Sequence, residues 1–299
     1  MKSVLILAAV AALSACSLKQ LALDNASDAL ANGGSAFAAD DDPDLVRAAA
    51  PFGLKLTESL LAENPRHQGL LVAAARGFTQ YAYAFLQQEA DEVEESDVAR
   101  ARVLERRAAR LYRRARDYGL RALAVGRPGV ARELHDDPRR AVAQFGLADV
   151  PALYWTAASW AALIASCKDR PELLGELPAM EALMDRALEL DESYERGAIH
   201  TFLVGYEPVR PNGRGDPAAR ARAHFERAVE LTAGTEAAPY VALAESVSVP
   251  QQRRAEFEAL LKHAISIDPD QHTQSRLANL VVQRRARWLL ARTERLFTD

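Results

Sequence analysis

The chain has 299 residues, a formal net charge of −4 at pH 7 and two cysteines, Cys16 and Cys167. Its mild acidity lacks the basic footprint of a nucleic-acid-binding protein. Its length allows one or two globular domains or a single array of repeats.

Met1-Lys2-Ser3 leads into an apolar run from Val4 to Leu13 and the small residues Ser14 and Ala15. One positive charge, a short apolar core and small residues before a cut are the layout of a signal peptide, here residues 1–15. The run is far shorter than the ~20 apolar residues a spanning helix needs. Leu13-Ser14-Ala15-Cys16 resembles the lipobox of bacterial lipoproteins. That resemblance implies cleavage before Cys16 and its acylation, with palmitate among the chains and the membrane reached through the lipid alone. Ser17, not Asp, follows the cysteine, which by the same resemblance favours the outer membrane on its periplasmic side. With Cys16 carrying lipid, Cys167 has no partner for an intramolecular disulfide, and stability rests on packing.

Residues 16–43 read as the lipid anchor, a short helix near 18–30 and a loop over 32–42 with a Gly pair and three consecutive acids. Residues 44–299 form the body. Asp42-Pro43, Asp137-Pro138 and Asp216-Pro217 each mark a helix start, since Asp caps unpaired amides and Pro tolerates the first helical position. Helices are predicted at 44–63, 66–90, 151–168, 179–190, 193–206, 217–232, 238–248 and 251–267. Apolar stripes predict two more, from Leu104 to Val125 and from Ala278 to Leu296. No run alternates in the manner of a strand, so the fold is all-α.

Ala122-Leu-Ala-Val125, Ala187-Leu-Glu-Leu190, Ala228-Val-Glu-Leu231 and Ala264-Ile-Ser-Ile267 each close a helix before a turn. Such phrases resemble the second helix of tetratricopeptide repeats. Their spacings of 65, 41 and 36 residues against that motif's ~34 make the repeats degenerate. The expected architecture is a tetratricopeptide-like α-α superhelix enclosing an apolar channel, with an irregular helical bundle as the alternative.

No motif for hydrolysis, phosphate binding or metal ligation is present. The six histidines are scattered, and the sequence calls for no enzyme activity, cofactor or metal. Pro151 to Cys167 is uncharged throughout and carries Tyr154, Trp155 and Trp160. A helix apolar on all sides must be enclosed by others. Its aromatics read either as ordinary core or as the lining of a ligand cavity. From Arg100 to Arg121 an arginine-laden face reads as solvated, with a docking surface for an acidic partner or anionic head groups as the alternative.

Several stretches, in order, resemble one family: Asp149-Val-Pro-Ala-Leu-Tyr-Trp155 with Trp160, Tyr194-Glu-Arg-Gly-Ala-Ile-His200, Phe202-Leu-Val-Gly-Tyr206, Ala223-His-Phe-Glu-Arg-Ala228, and Leu277-Ala-Asn279 with Ala286-Arg-Trp-Leu-Leu290. Together they are similar to the TatT family, the T component of tripartite ATP-independent periplasmic (TRAP) transporters. The resemblance implies a periplasmic lipoprotein that associates with the transporter's extracytoplasmic substrate-binding protein. It also implies a trimer-forming fold with a hydrophobic channel for a small apolar ligand. On that basis Tyr154, Trp155, Trp160, His200 and Tyr206 are the expected channel residues. A helical scaffold for envelope assembly is the alternative function.

Overall fold

Each Asp-Pro pair starts a helix as its chemistry predicts. The Asp42 carboxylate accepts the amides of Asp44 and Leu45, Asp137 accepts that of Arg140, and Asp216 accepts those of Ala218 and Ala219. The Pro beside each cap forfeits nothing, because the first amides of any helix lack an internal partner. The computed structural model describes residue 28 and residues 35–167, 170–211 and 213–298. The expected leader, Cys16 and, apart from Asp28, the expected helix near 18–30 lie outside the described residues. Among the described residues there is no strand, and the protein is all-α.

The helices are α1 (Ser35–Ala38), α2 (Pro43–Glu63), α3 (Gln68–Ala82), α4 (Gln88–Val93), α5 (Val98–Ala124), α6 (Val130–Asp136), α7 (Pro138–Val142), α8 (Val150–Ala165), α9 (Leu177–Leu190), α10 (Tyr194–Tyr206), α11 (Pro217–Thr232), α12 (Ala238–Leu243), α13 (Arg254–Ser266), α14 (Arg276–Leu290) and α15 (Thr293–Leu296). Three features depart from the sequence reading. The expected loop before residue 43 holds the short α1, and the short α6 was not foreseen, while of α7 only the start at Asp137-Pro138 was. The predicted helices 66–90 and 238–248 each contain a π-helical turn, Tyr83–Gln87 and Ala244–Ser248.

The apolar α8 is central, packed by α3, α5 and α9. Leu153, Ala157 and Leu163 have no accessible surface, and each large apolar side chain so buried contributes about 1.5–3 kcal/mol. Close approach of α5 and α8 requires Gly119, where a Cβ would stand 2.3 Å from Thr156 Oγ1 and 3.0 Å from Thr156 Cα. The alanines that open the repeat phrases, Ala122, Ala187, Ala228 and Ala264, are all fully buried. Along the second half, α10 packs on α11 and α12, and α13 packs on α12 and α14. The chain then returns to its start. Helix α14 touches α1 and α2, and Arg276 Nη1 donates to the Ala39 carbonyl at 3.0 Å.

Candidate functional site

Where α8 meets the start of α10, three aromatic rings gather. Tyr154 lies edge-on to Trp155 with centroids 5.0 Å apart and tilted against Tyr194 at 5.4 Å. Such arrangements are favoured by the ring quadrupoles. The next three residues, Glu195, Arg196 and Gly197, are left-handed, with φ of 43°, 58° and 87°. For two of them a Cβ makes this conformation costly, about 1–2 kcal/mol per residue, and it persists only where surrounding contacts over-determine it. Those contacts are visible. Arg196 Nη2 donates to Thr232 O and Thr235 Oγ1, both at 2.9 Å, and Arg196 Nε pairs with Glu236 at 3.2 Å. Gly197 is required for packing as well as for φ, since a Cβ there would sit 3.0 Å from Leu231 Cδ1.

The turn holds Glu195 beside the three rings. Its side chain keeps 36 % of its surface accessible, yet burial by surrounding protein raises its carboxyl pKa against the pull of Arg76, Tyr194 and Trp155. The Tyr194 hydroxyl donates to Glu195 Oε1 at 3.0 Å, and Arg76 Nη1 stands 3.8 Å from the same oxygen. Trp155, only 6 % exposed, turns its indole N–H toward Tyr194 and Glu195, where it opposes the rise of both pKa values without reaching ordinary hydrogen-bond geometry. Burial likewise pushes the Tyr154 phenol up, with Glu195 and Glu236 adding to the effect.

Arg76 shares a helix face with Tyr83, two turns further on. Tyr83 repeats the pattern of Glu195, being 39 % exposed while burial raises its phenol pKa. Glu245, Arg285, Gln88 and Asp91 face it. Gln88 is fully buried, and neither of its amide atoms is partnered among the described residues. Both π turns thus lie at this face, since Tyr83 begins one and Glu245 belongs to the other.

The five residues expected to line a channel fall into four places. Tyr154 and Trp155 meet beside Tyr194. Trp160, five residues from Trp155 and so about 140° around the helix, instead donates its N–H to Glu176 at 2.5 Å under the Arg116 guanidinium. Buried His200 pairs its Nδ1 with His224 Nδ1 at 2.8 Å, and its Nε2 lies 3.3 Å from Glu192. Tyr206 donates to Glu181 at 2.7 Å and stacks on Phe202. Sequence reasoning singled out neither Arg76 nor Glu195, and the only local signal was a glycine at the start of a predicted helix.

The arginine face of α5 divides in two. Arg100, Arg114 and Arg116 pair with Glu89, Glu58 and Glu176. Arg102, Arg106, Arg107, Arg110 and Arg113 are exposed with no ion pair among the described residues. A shallow groove of about 400 Å³ runs past Arg110, Arg113, Arg114, Asp117, Tyr118 and Arg121.

Among the described residues the chain is an all-α protein with an aromatic cluster where α8 meets α10. Among the described residues, no group of His, Cys, Asp and Glu is placed to hold a metal ion, and no helix is long and apolar enough to cross a membrane. The chain belongs to the TRAP transporter T-component family, whose model matches residues 39–297. It is thus an envelope-associated accessory component of a transporter that works with other TRAP components. It is also 30 % identical over 302 residues to an uncharacterized protein of Treponema pallidum (strain Nichols), covering 95 % of this chain and 94 % of that one.

Proposed function

We propose that the protein is a periplasmic lipoprotein of a TRAP-type uptake system that docks the extracytoplasmic substrate-binding protein and holds an apolar or amphipathic organic ligand. The observation that carries the ligand-holding part is the cluster of Tyr154, Trp155 and Tyr194 rings with the partly accessible Glu195 beside it. Family membership supports the transporter assignment. In this reading the helix pairs form a degenerate tetratricopeptide-like superhelix, and the aromatic cluster lines an internal channel that shields the ligand until the partner docks at its mouth. The ion gradient acts in the membrane subunits. Acylated Cys16, exposed once residues 1–15 are removed, tethers residues 16–43 and the helical body to the outer membrane, and protomers assemble as trimers.

The test is capture of periplasmic proteins by the full-length, acylated protein. Recovery of a TRAP substrate-binding protein is expected. Recovery of outer-membrane assembly proteins alone would replace this reading with the scaffold one. Labelled palmitate should enter the wild-type chain and not Cys16→Ser.

A further inference from the structure

Helix α5 carries nine arginines and only two acids, Glu105 and Asp117, in a chain whose net charge is −4. Arg102, Arg106, Arg110 and Arg113 step by four and three, so they share one face, with Arg107 at its edge. All five are exposed, and none has an ion pair among the described residues. Like charges at these spacings repel and weaken a helix. Little within the protein offsets that repulsion, since Asp117 is taken up by Arg116 and Glu105 is one charge against five. The stripe is an excess of positive charge that the described residues leave unmatched.

We infer that this face of α5 lies on the surface of an anionic phospholipid bilayer, with its arginines on the lipid phosphates. Two observations choose a bilayer over an acidic protein. A protein-docking surface is centred on aromatic or apolar anchors, but the rings of α5 are already used by the fold. Tyr112 is buried, and Tyr118 is half-buried with the Arg121 guanidinium 5.2 Å above its ring. Among the arginines the exposed apolar side chain is Val103, 55 % accessible, which suits shallow contact at a head-group boundary and is too small to anchor a partner.

The second observation is where the chain enters. Arg47, near the start of α2, and Arg100, in the first turn of α5, both pair with Glu89. Residues 16–43, which carry the anchor in the reading above, therefore join the body beside the start of the stripe. This part of the argument rests on the lipid-anchor reading, whereas the unmatched charge does not. A tethered chain meets head groups at high effective concentration, and an acyl anchor and a basic patch reinforce one another. At the far end of the stripe, the groove past Arg110, Arg113 and Arg114 offers three guanidinium forks to a single phosphate.

The experiment mixes the full-length acylated protein with vesicles of phosphatidylcholine, or of equimolar phosphatidylcholine and phosphatidylglycerol. The vesicles are floated, and arginine modification by phenylglyoxal is followed peptide by peptide. Arg102, Arg106, Arg107, Arg110 and Arg113 are expected to react at least about fivefold more slowly on the anionic vesicles, with the protection lost in about 1 M salt. Exposed Arg132 and Arg139 should react equally on both. Combining Arg102→Gln, Arg106→Gln, Arg110→Gln and Arg113→Gln, which keeps helix propensity, should restore the reactivity of Arg107. Equal reactivity of the stripe on two vesicle types that both float the protein would overturn the bilayer contact and leave the anchor standing. Protection that appears only when periplasmic proteins are added would overturn it in favour of an acidic partner. Flotation with the anionic vesicles alone would keep the stripe and overturn the anchor, and flotation with neither would overturn both. The wild-type comparison decides even if the variant fails to fold.

Discussion

From α2 to α10 the buried apolar side chains form one continuous cluster, running from Val46 to Leu203. Beyond it they divide into two smaller clusters, one around Val204 and Val247 and one from Ala237 to Phe297. The return contact between these regions is of another kind. Arg284 pairs with Glu92, Arg285 with Asp91, and both Arg292 and Arg295 with Glu95. The first region is therefore held by burial, which salt barely weakens. The seam that closes the chain on itself is held by charges, which salt screens with a Debye length of about 8–10 Å near physiological strength.

Four measurements test that contrast. The largest effect is expected from Leu153→Ala in the centre of α8, a loss of about 2–5 kcal/mol in urea unfolding that added salt does not reduce. A loss independent of burial, or a strongly salt-dependent one, would show that α8 is not the apolar centre. Arg285→Met should cost about 1–3 kcal/mol, because it strands Asp91 and Glu245 at a site where Arg285 is only 15 % exposed. In the wild-type protein burial lowers the Arg285 pKa, but Glu245 and Asp91 more than offset this and leave it raised.

A smaller effect is expected from pH. Burial lowers the pKa of both His200 and His224 below 6.5, and the His200 ring adds to the depression of His224. Below pH 6.5 the unfolded chain then binds protons that the folded one refuses. Stability conferred by the neutral pair is complete above 6.5 and is lost as pH falls toward the folded values. The carboxylates Glu89 and Glu207 act in a lower window. Burial opposes their charge, but paired arginines hold them below 4.5, so their contribution is lost only as pH falls below that value. Melting temperatures between pH 7.5 and 5 should decline in wild type and decline less in His224→Asn. Equal slopes would remove the histidine pair as the cause. The smallest change is expected for Arg284→Gln, about 0.2–1 kcal/mol at low salt and nothing measurable in 1 M salt.

Much of the fold was legible because it follows from local rules. Asp before Pro specified three helix starts, and a charge-free aromatic helix had to be central. The aromatic cluster was half legible. Tyr154 and Trp155 stood out as aromatics on an apolar helix, but Trp160 was grouped with them by proximity in sequence although it lies around the helix. Glu195 and Arg76 were hidden because their roles arise from tertiary contact. Nothing in Tyr194-Glu-Arg-Gly197 says that Arg196 will bond Thr232, Thr235 and Glu236, and those bonds are what hold the backbone left-handed. The π turns were equally silent, since their sequences have the helical character of their neighbours.

The hydrogen bond from Arg276 to Ala39 joins residues 237 positions apart. Its consequence is one of timing. Loop closure over such a span yields nothing until both ends are present, so α1 cannot dock while the chain is still being delivered and α14 has yet to emerge. Removing a short stretch from either end deletes the same contact. An N-terminal and a C-terminal truncation should therefore weaken the molecule in the same place, although almost the whole length of the protein separates the two cuts.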